Sequence, residues 1–89
     1  MNNNQRKILE DAKCIVESIM PTIEQVKGIV DEVREQEQEK TDNAPENLLQ
    51  TERYQRIEEC ADLLYDVCNL LDEMSSQCDE IVNSIDESM

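Results

Sequence analysis

Cysteine is the residue type in this chain with the widest chemistry, because a thiolate can bind a metal, attack an electrophile or form a disulfide. The four cysteines are Cys14, Cys60, Cys68 and Cys78. None forms a C-x-x-C pair and the sequence contains no histidine, so the pattern does not match a zinc site. Three of them recur among apolar residues at helical spacing, which favours small, reduced core residues over a redox or metal site. We therefore expect no metal and no cofactor.

Carboxylates are the other candidates for chemistry. Glu58, Glu59 and Asp62 could together hold a divalent ion, but helical bundles that do so use inward glutamates with E-x-x-H motifs. Without histidine, a glycine-rich phosphate loop or a G-x-S-x-G turn, the usual pairs of nucleophile and base cannot be assembled. The sequence predicts a protein without catalytic residues.

Three of the cysteines belong to a long amphipathic repeat between residues 54 and 85. Its first stripe, with steps of three and four, is Tyr54, Ile57, Ala61, Leu64, Cys68, Leu71, Ser75, Cys78, Val82 and Ile85. A second stripe, rotated by about 100° because each member precedes a first-stripe position, is Cys60, Leu63, Val67, Leu70, Met74 and Ile81. One wide apolar face of this kind requires two packing partners and is typical of a three- or four-helix bundle.

The first half of the chain carries a similar repeat. Its apolar positions are Ile8, Ala12, Ile15, Ile19, Ile23, Val26, Val30 and Val33. The spacing slips around Pro21, which removes a backbone donor, so we expect a kink there rather than a clean break. The polar run 34–40 has nothing to bury and is predicted to project or fray. Asn2, Asn3 or Asn4 can cap the helix start.

These patterns predict one all-α domain, an antiparallel hairpin with helices at about 4–40 and 51–86 and a loop at about 41–50. Pro45 is expected to open a short turn, Glu46 to Leu49, whose leucines cover the end of the bundle, and Thr51 to cap the second helix. The second stripe predicts a homodimer that forms an antiparallel four-helix bundle. The residues expected at its interface are Leu63, Val67, Leu70 and Met74.

The charge is strongly acidic, with 22 acidic and 8 basic residues and a net charge of -14. Attraction to nucleic acid or to anionic lipid is therefore disfavoured. No long apolar run and no signal-peptide core are present, which predicts a cytoplasmic protein. Residues 54–89 hold ten acidic side chains and one basic, a net charge of -9. The face predicted to bind a basic protein surface is Glu58, Glu59, Asp62, Asp66, Asp72, Glu73, Asp79 and Glu80.

The segment from Glu37 to Tyr54 contains the loop motif Asp-Asn-Ala-Pro-Glu-Asn-Leu-Leu-Gln-Thr-Glu-Arg. With the acidic repeat that follows, it resembles small acidic helical-hairpin proteins carried by phages and integrative elements of low-GC Gram-positive bacteria. Ala44 stands where those proteins have a larger apolar residue, Leu49 is an insertion, and Thr51 replaces a serine. The resemblance implies a hairpin and a mobile-element origin, and it supplies no catalytic residues.

Two functions are compatible with these features. The chain can be an acidic binding protein, such as a nucleic-acid-mimicking inhibitor of a host nucleic-acid-binding or defence protein. Alternatively it is a structural or adaptor bundle whose charge serves solubility alone, since a charged helical face is usually only solvated.

Overall fold

The protein is a hairpin of two long antiparallel helices. The computed structural model describes residues 1–48 and 51–89. Helix α1 spans Asn3–Asp42 and helix α2 spans Glu52–Ser88, with one 3₁₀ turn at Glu46–Leu48 between them. No strand occurs in these two described ranges. The predicted all-α hairpin is confirmed, and each helix runs one or two residues further at its outer ends than the sequence pattern indicated.

The start and course of α1 follow local chemistry. The Asn2 side chain accepts a hydrogen bond from the backbone N–H of Gln5 at 2.8 Å, and the Gln5 side chain accepts one from the Asn2 N–H at 3.1 Å. This reciprocal capping box satisfies two donors of the first turn. The helix continues through Pro21 without interruption. The kink expected at this proline stays a prediction.

Two ion pairs between the helices show the register in which α1 and α2 pack. The Lys13 ammonium contacts Asp86 at 2.8 Å, and the Lys27 ammonium contacts Asp72. In both pairs the residue numbers add up to 99. A residue of α1 and a residue of α2 therefore lie at the same height along the hairpin when their numbers add up to 99.

The seam, by which we mean the line of contact between the helices, uses the predicted stripe on α2. Every first-stripe residue from Tyr54 to Ile85 is buried or half-buried, with Ala61, Cys68 and Cys78 buried. The first stripe is thus confirmed as the face that packs against α1.

On α1 the predicted stripe is wrong in part. The residues that pack against α2 include Leu9, Ala12, Val16, Met20, Ile23, Lys27, Val30, Arg34 and Thr41. Of the predicted stripe, Ala12, Ile23 and Val30 belong to this seam, whereas the rest is exposed: Ile8, Ile15, Ile19, Val26 and Val33. At five of the eight predicted positions the seam uses the next residue, as Val16 in place of Ile15, and in this arrangement the ammonium groups of Lys13 and Lys27 reach carboxylates of α2.

The polar end of α1 does not project or fray, contrary to the prediction. Glu37 and Gln38 are half-buried and Thr41 is buried, because this last part of α1 packs on the beginning of α2. Thr41 Oγ1 finds no hydrogen-bond partner among the described residues. The short turn expected after Pro45 is confirmed at Glu46–Leu48. The prediction that leucines cover the end of the bundle concerns the Leu48 side chain and Leu49, which lie outside the described residues.

The molecule is a rod of 69 × 16 × 14 Å. Its radius of gyration is 20.2 Å, compared with about 12 Å for a compact domain of this length. Its accessible surface is 6577 Å², whereas a folded monomer of this mass exposes about 5,400 Å². Two helices contact each other only along one line and do not form a closed hydrophobic core, so much of their apolar surface stays exposed.

Candidate functional site

The exposed apolar residues of both helices lie on one side of the hairpin. With few exceptions, each of them immediately precedes a seam residue, as Ile15 precedes Val16 and Leu70 precedes Leu71. One residue of an α-helix is a rotation of about 100°. Because the helices are antiparallel, the same rotation about each axis turns both sets of side chains toward the same side.

This surface is called the apolar side below. It comprises eleven exposed side chains: Ile8, Ile15, Ile19, Val26, Ile29 and Val33 on α1, and Leu63, Val67, Leu70, Met74 and Ile81 on α2.

A groove between the helices shows that the two halves of the apolar side meet. It has a volume of about 400 Å³ and is lined by Val33 and Glu37 of α1 and by Cys60, Leu63 and Leu64 of α2. Val33 and Leu63 are members of the apolar side, and Leu64 forms the floor because it belongs to the seam. The apolar side is therefore continuous across the hairpin.

The apolar side is large for a monomer. From residue 8 to residue 33 it runs about 38 Å along α1 at 1.5 Å per residue. Two helices whose axes lie about 8–10 Å apart, each about 10 Å across with its side chains, present a width of about 18–20 Å. These dimensions give on the order of 700 Å², whereas the largest apolar patch on a typical monomer is about 300–600 Å². All four residues predicted for an oligomer interface are exposed on this surface.

Sequence analysis missed the contribution of α1 to the apolar side. Ile29 was not placed on any stripe, and Ile8, Ile15, Ile19, Val26 and Val33 were assigned to the contact with α2. The sequence did contain a signal for this. The residues that directly follow these six, from Leu9 to Arg34, form a second series at helical spacing. Two neighbouring stripes were thus present on α1, as they were recognised on α2.

The side of the seam opposite the apolar side is polar, and two ion pairs connect the helices there. Asp72 and Asp86 immediately follow seam residues of α2, so they lie on this side. Their hydrogen bonds raise the pKa of Lys27 and of Lys13 above the usual lysine value, with Coulombic attraction adding to the shift and partial desolvation opposing it. Charge therefore borders the seam on one side, and exposed apolar residues border it on the other.

The predicted acidic face covers two neighbouring faces of α2, the polar side and the outer edge, and the outer edge borders the apolar side. Glu58, Asp62, Asp72 and Asp79 each follow a seam residue and lie on the polar side. The others, Glu59, Asp66, Glu73 and Glu80, lie two positions after seam residues, on the outer edge of α2.

Two of these eight carboxylates have a basic neighbour. Asp72 binds Lys27, and Glu59 contacts Arg56 at 3.3 Å. The other six have no ion pair with any described residue and are exposed to solvent. The acidic face is thus mostly unneutralised by the hairpin itself.

Two of the three cysteines placed on the α2 stripes are buried. Cys68 and Cys78 are buried in the seam, Cys60 is half-buried at the groove, and Cys14 is exposed on α1. All four are free thiols. Within residues 1–48 and 51–89, no group of three or more cysteine, aspartate or glutamate side chains is arranged to hold a metal ion.

Neither helix contains, in its described residues, an apolar stretch sufficient to cross a bilayer. Comparison with known proteins gives no match to any family model, curated protein or solved structure. The mobile-element origin implied by the loop motif therefore stays a prediction.

Proposed function

We propose that this chain is a non-catalytic protein-binding module that dimerises through its apolar side into a four-helix bundle. The observation that carries the proposal is the continuous apolar side, whose eleven large side chains are about half exposed in the single hairpin. The position before each seam residue is uncharged from Ile15 to Val33 and from Cys60 to Ser84. In a chain with 22 acidic residues, this separation of charge from one side is what a buried interface requires.

The energetics favour a second copy as the occupant. Full burial of one Val, Leu, Ile or Met side chain contributes about 1.5–3 kcal/mol, so covering eleven half-exposed ones contributes on the order of 10 kcal/mol per protomer. The two protomers of a dimer gain about twice that, against an association cost of about 4–15 kcal/mol. The area also matches, because a standard interface buries about 800 Å² on each partner.

The test is a pair of substitutions on α2 that add the same charge on different sides. Leu70 is 61% exposed on the apolar side, and Tyr65 is 57% exposed on the polar side. Leu70→Asp should give the mass of one 10.3 kDa chain by light scattering at micromolar concentration. Wild type and Tyr65→Asp should both give twice that mass. A monomeric wild type, or a dimer that survives Leu70→Asp and the further variant Leu63→Asp, would contradict the proposal.

A second surface remains free after dimerisation, and we propose that it binds a basic protein surface. Three of the six unpaired carboxylates, Glu58, Asp62 and Asp79, lie on the polar side, and the other three lie on the outer edge at the rim of the apolar side, so each protomer of the dimer still displays an acidic face. Complementary charge accelerates association and makes it sensitive to salt. A nucleic-acid-mimicking inhibitor is one form of this function. In the alternative, an adaptor bundle, the same charge maintains only solubility.

Two variants that lose the same number of negative charges, one on α2 and one on α1, distinguish binding through the acidic face from a role in solubility alone. Asp62, Asp66, Glu73 and Glu80 are replaced by Asn or Gln, while Asp72 is kept because it pairs with Lys27. The control replaces four exposed glutamates of α1 with Gln: Glu17, Glu24, Glu32 and Glu39. Both variants change the net charge from -14 to -10.

The readout is the affinity for the protein that the wild type captures from host lysate, measured with purified components at several salt concentrations. Binding through the acidic face predicts a loss of affinity and a weaker salt dependence for the α2 variant, with little change for the α1 control. Equal affinities for all three proteins would favour the adaptor alternative.

A further inference from the structure

We infer that the two hairpins of the dimer stack with their loops at the same end, so that each α1 packs against the α2 of the other protomer. This inference rests on the proposed dimer and specifies its topology. It follows from the register of the hairpin together with the unequal charge of its two helices.

Symmetry leaves two ways to stack the apolar sides face to face. If the twofold axis runs along the helices, the loops meet at one end and each α1 faces the partner's α2. If the axis runs across the helices, the loops lie at opposite ends, and like helices face each other. Neighbouring helices are antiparallel in both arrangements, so helix dipoles do not discriminate between them.

The net charges of the helices do discriminate. Between Asn3 and Asp42, α1 has six basic and ten acidic residues, a net charge of -4. Between Glu52 and Ser88, α2 has two basic and eleven acidic residues, a net charge of -9. With loops apart, the two α2 helices are neighbours at about 8–10 Å, close to the Debye length of about 8 Å at physiological salt. With loops together, they lie on the longer diagonal, where screening is stronger.

The borders of the apolar side reinforce this preference. On α2 the border is the outer edge, with a carboxylate at every seventh position: Glu59, Asp66, Glu73 and Glu80. The corresponding edge of α1 lies two positions after the seam residues Val16 to Arg34. It carries a single charge, and its residues are Ser18, Thr22, Gln25, Ile29, Glu32 and Gln36. Loops together places the acidic edge against this nearly uncharged edge. Loops apart places the two acidic edges against each other.

One further pair of opposite charges is brought together only when the loops lie at the same end, although each of the two residues also has an ion pair on its own helix, Lys40 with Glu37 at 2.6 Å and Glu59 with Arg56 at 3.3 Å. Lys40 and Glu59 lie at the same height, because their numbers add up to the 99 that the ion pairs define. Both are exposed, and both border the apolar side at its loop end. Stacking with loops together brings Lys40 of one protomer beside the Glu59 edge of the other.

The experiment measures distances between spin labels in the dimer by pulsed electron paramagnetic resonance. A cysteine at Glu46, which is exposed in the turn, reports on the loops, and a cysteine at Glu24, near the middle of α1, reports on dimerisation itself. The four native cysteines are replaced in this background. At 1.5 Å per residue, loops apart separates the Glu46 labels by more than about 50 Å, whereas loops together brings them within about 30 Å.

Each outcome has a distinct consequence. A short distance for both labels supports the inference. A short Glu24 distance with a long Glu46 distance overturns the topology and leaves the proposed dimer intact. The absence of any distance between protomers for either label overturns the dimer and, with it, the inference.

A second measurement uses the unaltered sequence, in case the cysteine-free background does not fold. Dimers mixed from ¹⁴N- and ¹⁵N-labelled chains are treated with a zero-length reagent that joins amines to carboxylates, and cross-linked peptides are assigned by mass spectrometry. Loops together predicts a Lys40–Glu59 cross-link that contains one peptide of each isotope. If that cross-link forms only within single chains, the loops-together stack is refuted.

Discussion

Replacing one of two isoleucines on α1 with alanine tests which stripe of that helix forms the seam. Ile23 is 4% exposed and Ile15 is 65% exposed, although both belong to the same apolar stripe by sequence. Ile→Ala in a core costs about 2–5 kcal/mol. A seam open to solvent on both flanks can partly close the cavity, so about 2–3 kcal/mol is expected for Ile23→Ala.

Ile15→Ala should cost much less in the single hairpin. Only about a third of this side chain is buried, which corresponds to a loss of roughly 1 kcal/mol, and alanine recovers about 0.4 kcal/mol through its higher helix propensity. The total stability of a chain of this length is about 4–13 kcal/mol. Ile23→Ala therefore removes a large share of the stability, whereas Ile15→Ala removes a small one.

The assay is urea unfolding followed by circular dichroism, in the Leu70→Asp background so that the hairpin is measured without dimerisation. With a slope of about 1 kcal/mol per molar urea, the midpoint should fall by about 2 M for Ile23→Ala and by about 0.5 M for Ile15→Ala. Equal shifts would refute the assignment of the seam. In the wild-type background, the cost of Ile15→Ala should increase, because dimerisation covers that side chain.

Three further predictions concern single groups. Thr41→Val should raise stability by about 1 kcal/mol in urea unfolding, because it removes a buried hydroxyl without a described partner, and a loss of stability would mean that the hydroxyl is bonded. Cys14 should react with a thiol reagent at least about tenfold faster than Cys68, because Cys68 is accessible only after local opening. Mass spectrometry of the labelled peptides gives the two reaction rates, and equal rates would contradict the burial of Cys68. Since the hydrogen bond to Asp72 raises the pKa of Lys27 above 10.5, its stabilising contribution should be complete below about pH 10.5 and lost as pH rises through the raised pKa. The difference in melting temperature between wild type and Lys27→Met should accordingly shrink as the pH rises through the raised pKa of Lys27, and a difference independent of pH would contradict this.

The sequence by itself determined the two helices and the α2 half of the seam. These features depend on neighbours in the chain: a capping box at Asn2 and Gln5, a turn after Pro45, and a repeat of three and four that places Leu64 and Leu71 on one face. The second stripe was also recognisable, because each member precedes a first-stripe position and helical rotation is the same everywhere.

The tertiary structure decided which stripe of α1 is buried and where the remaining apolar residues face. By sequence the Ile15 stripe is the more apolar of the two, because the Val16 stripe includes Lys27 and Arg34. In the hairpin the Val16 stripe is the one that packs on α2, and in this arrangement Lys13 reaches Asp86 and Lys27 reaches Asp72. Antiparallel packing then turns the exposed stripes of both helices toward one side. In a parallel pair the same rotation would send them to opposite sides. The antiparallel direction was predictable from the short loop, but the apolar side also depends on which stripe of α1 is buried, and that is settled only when the two helices pack together.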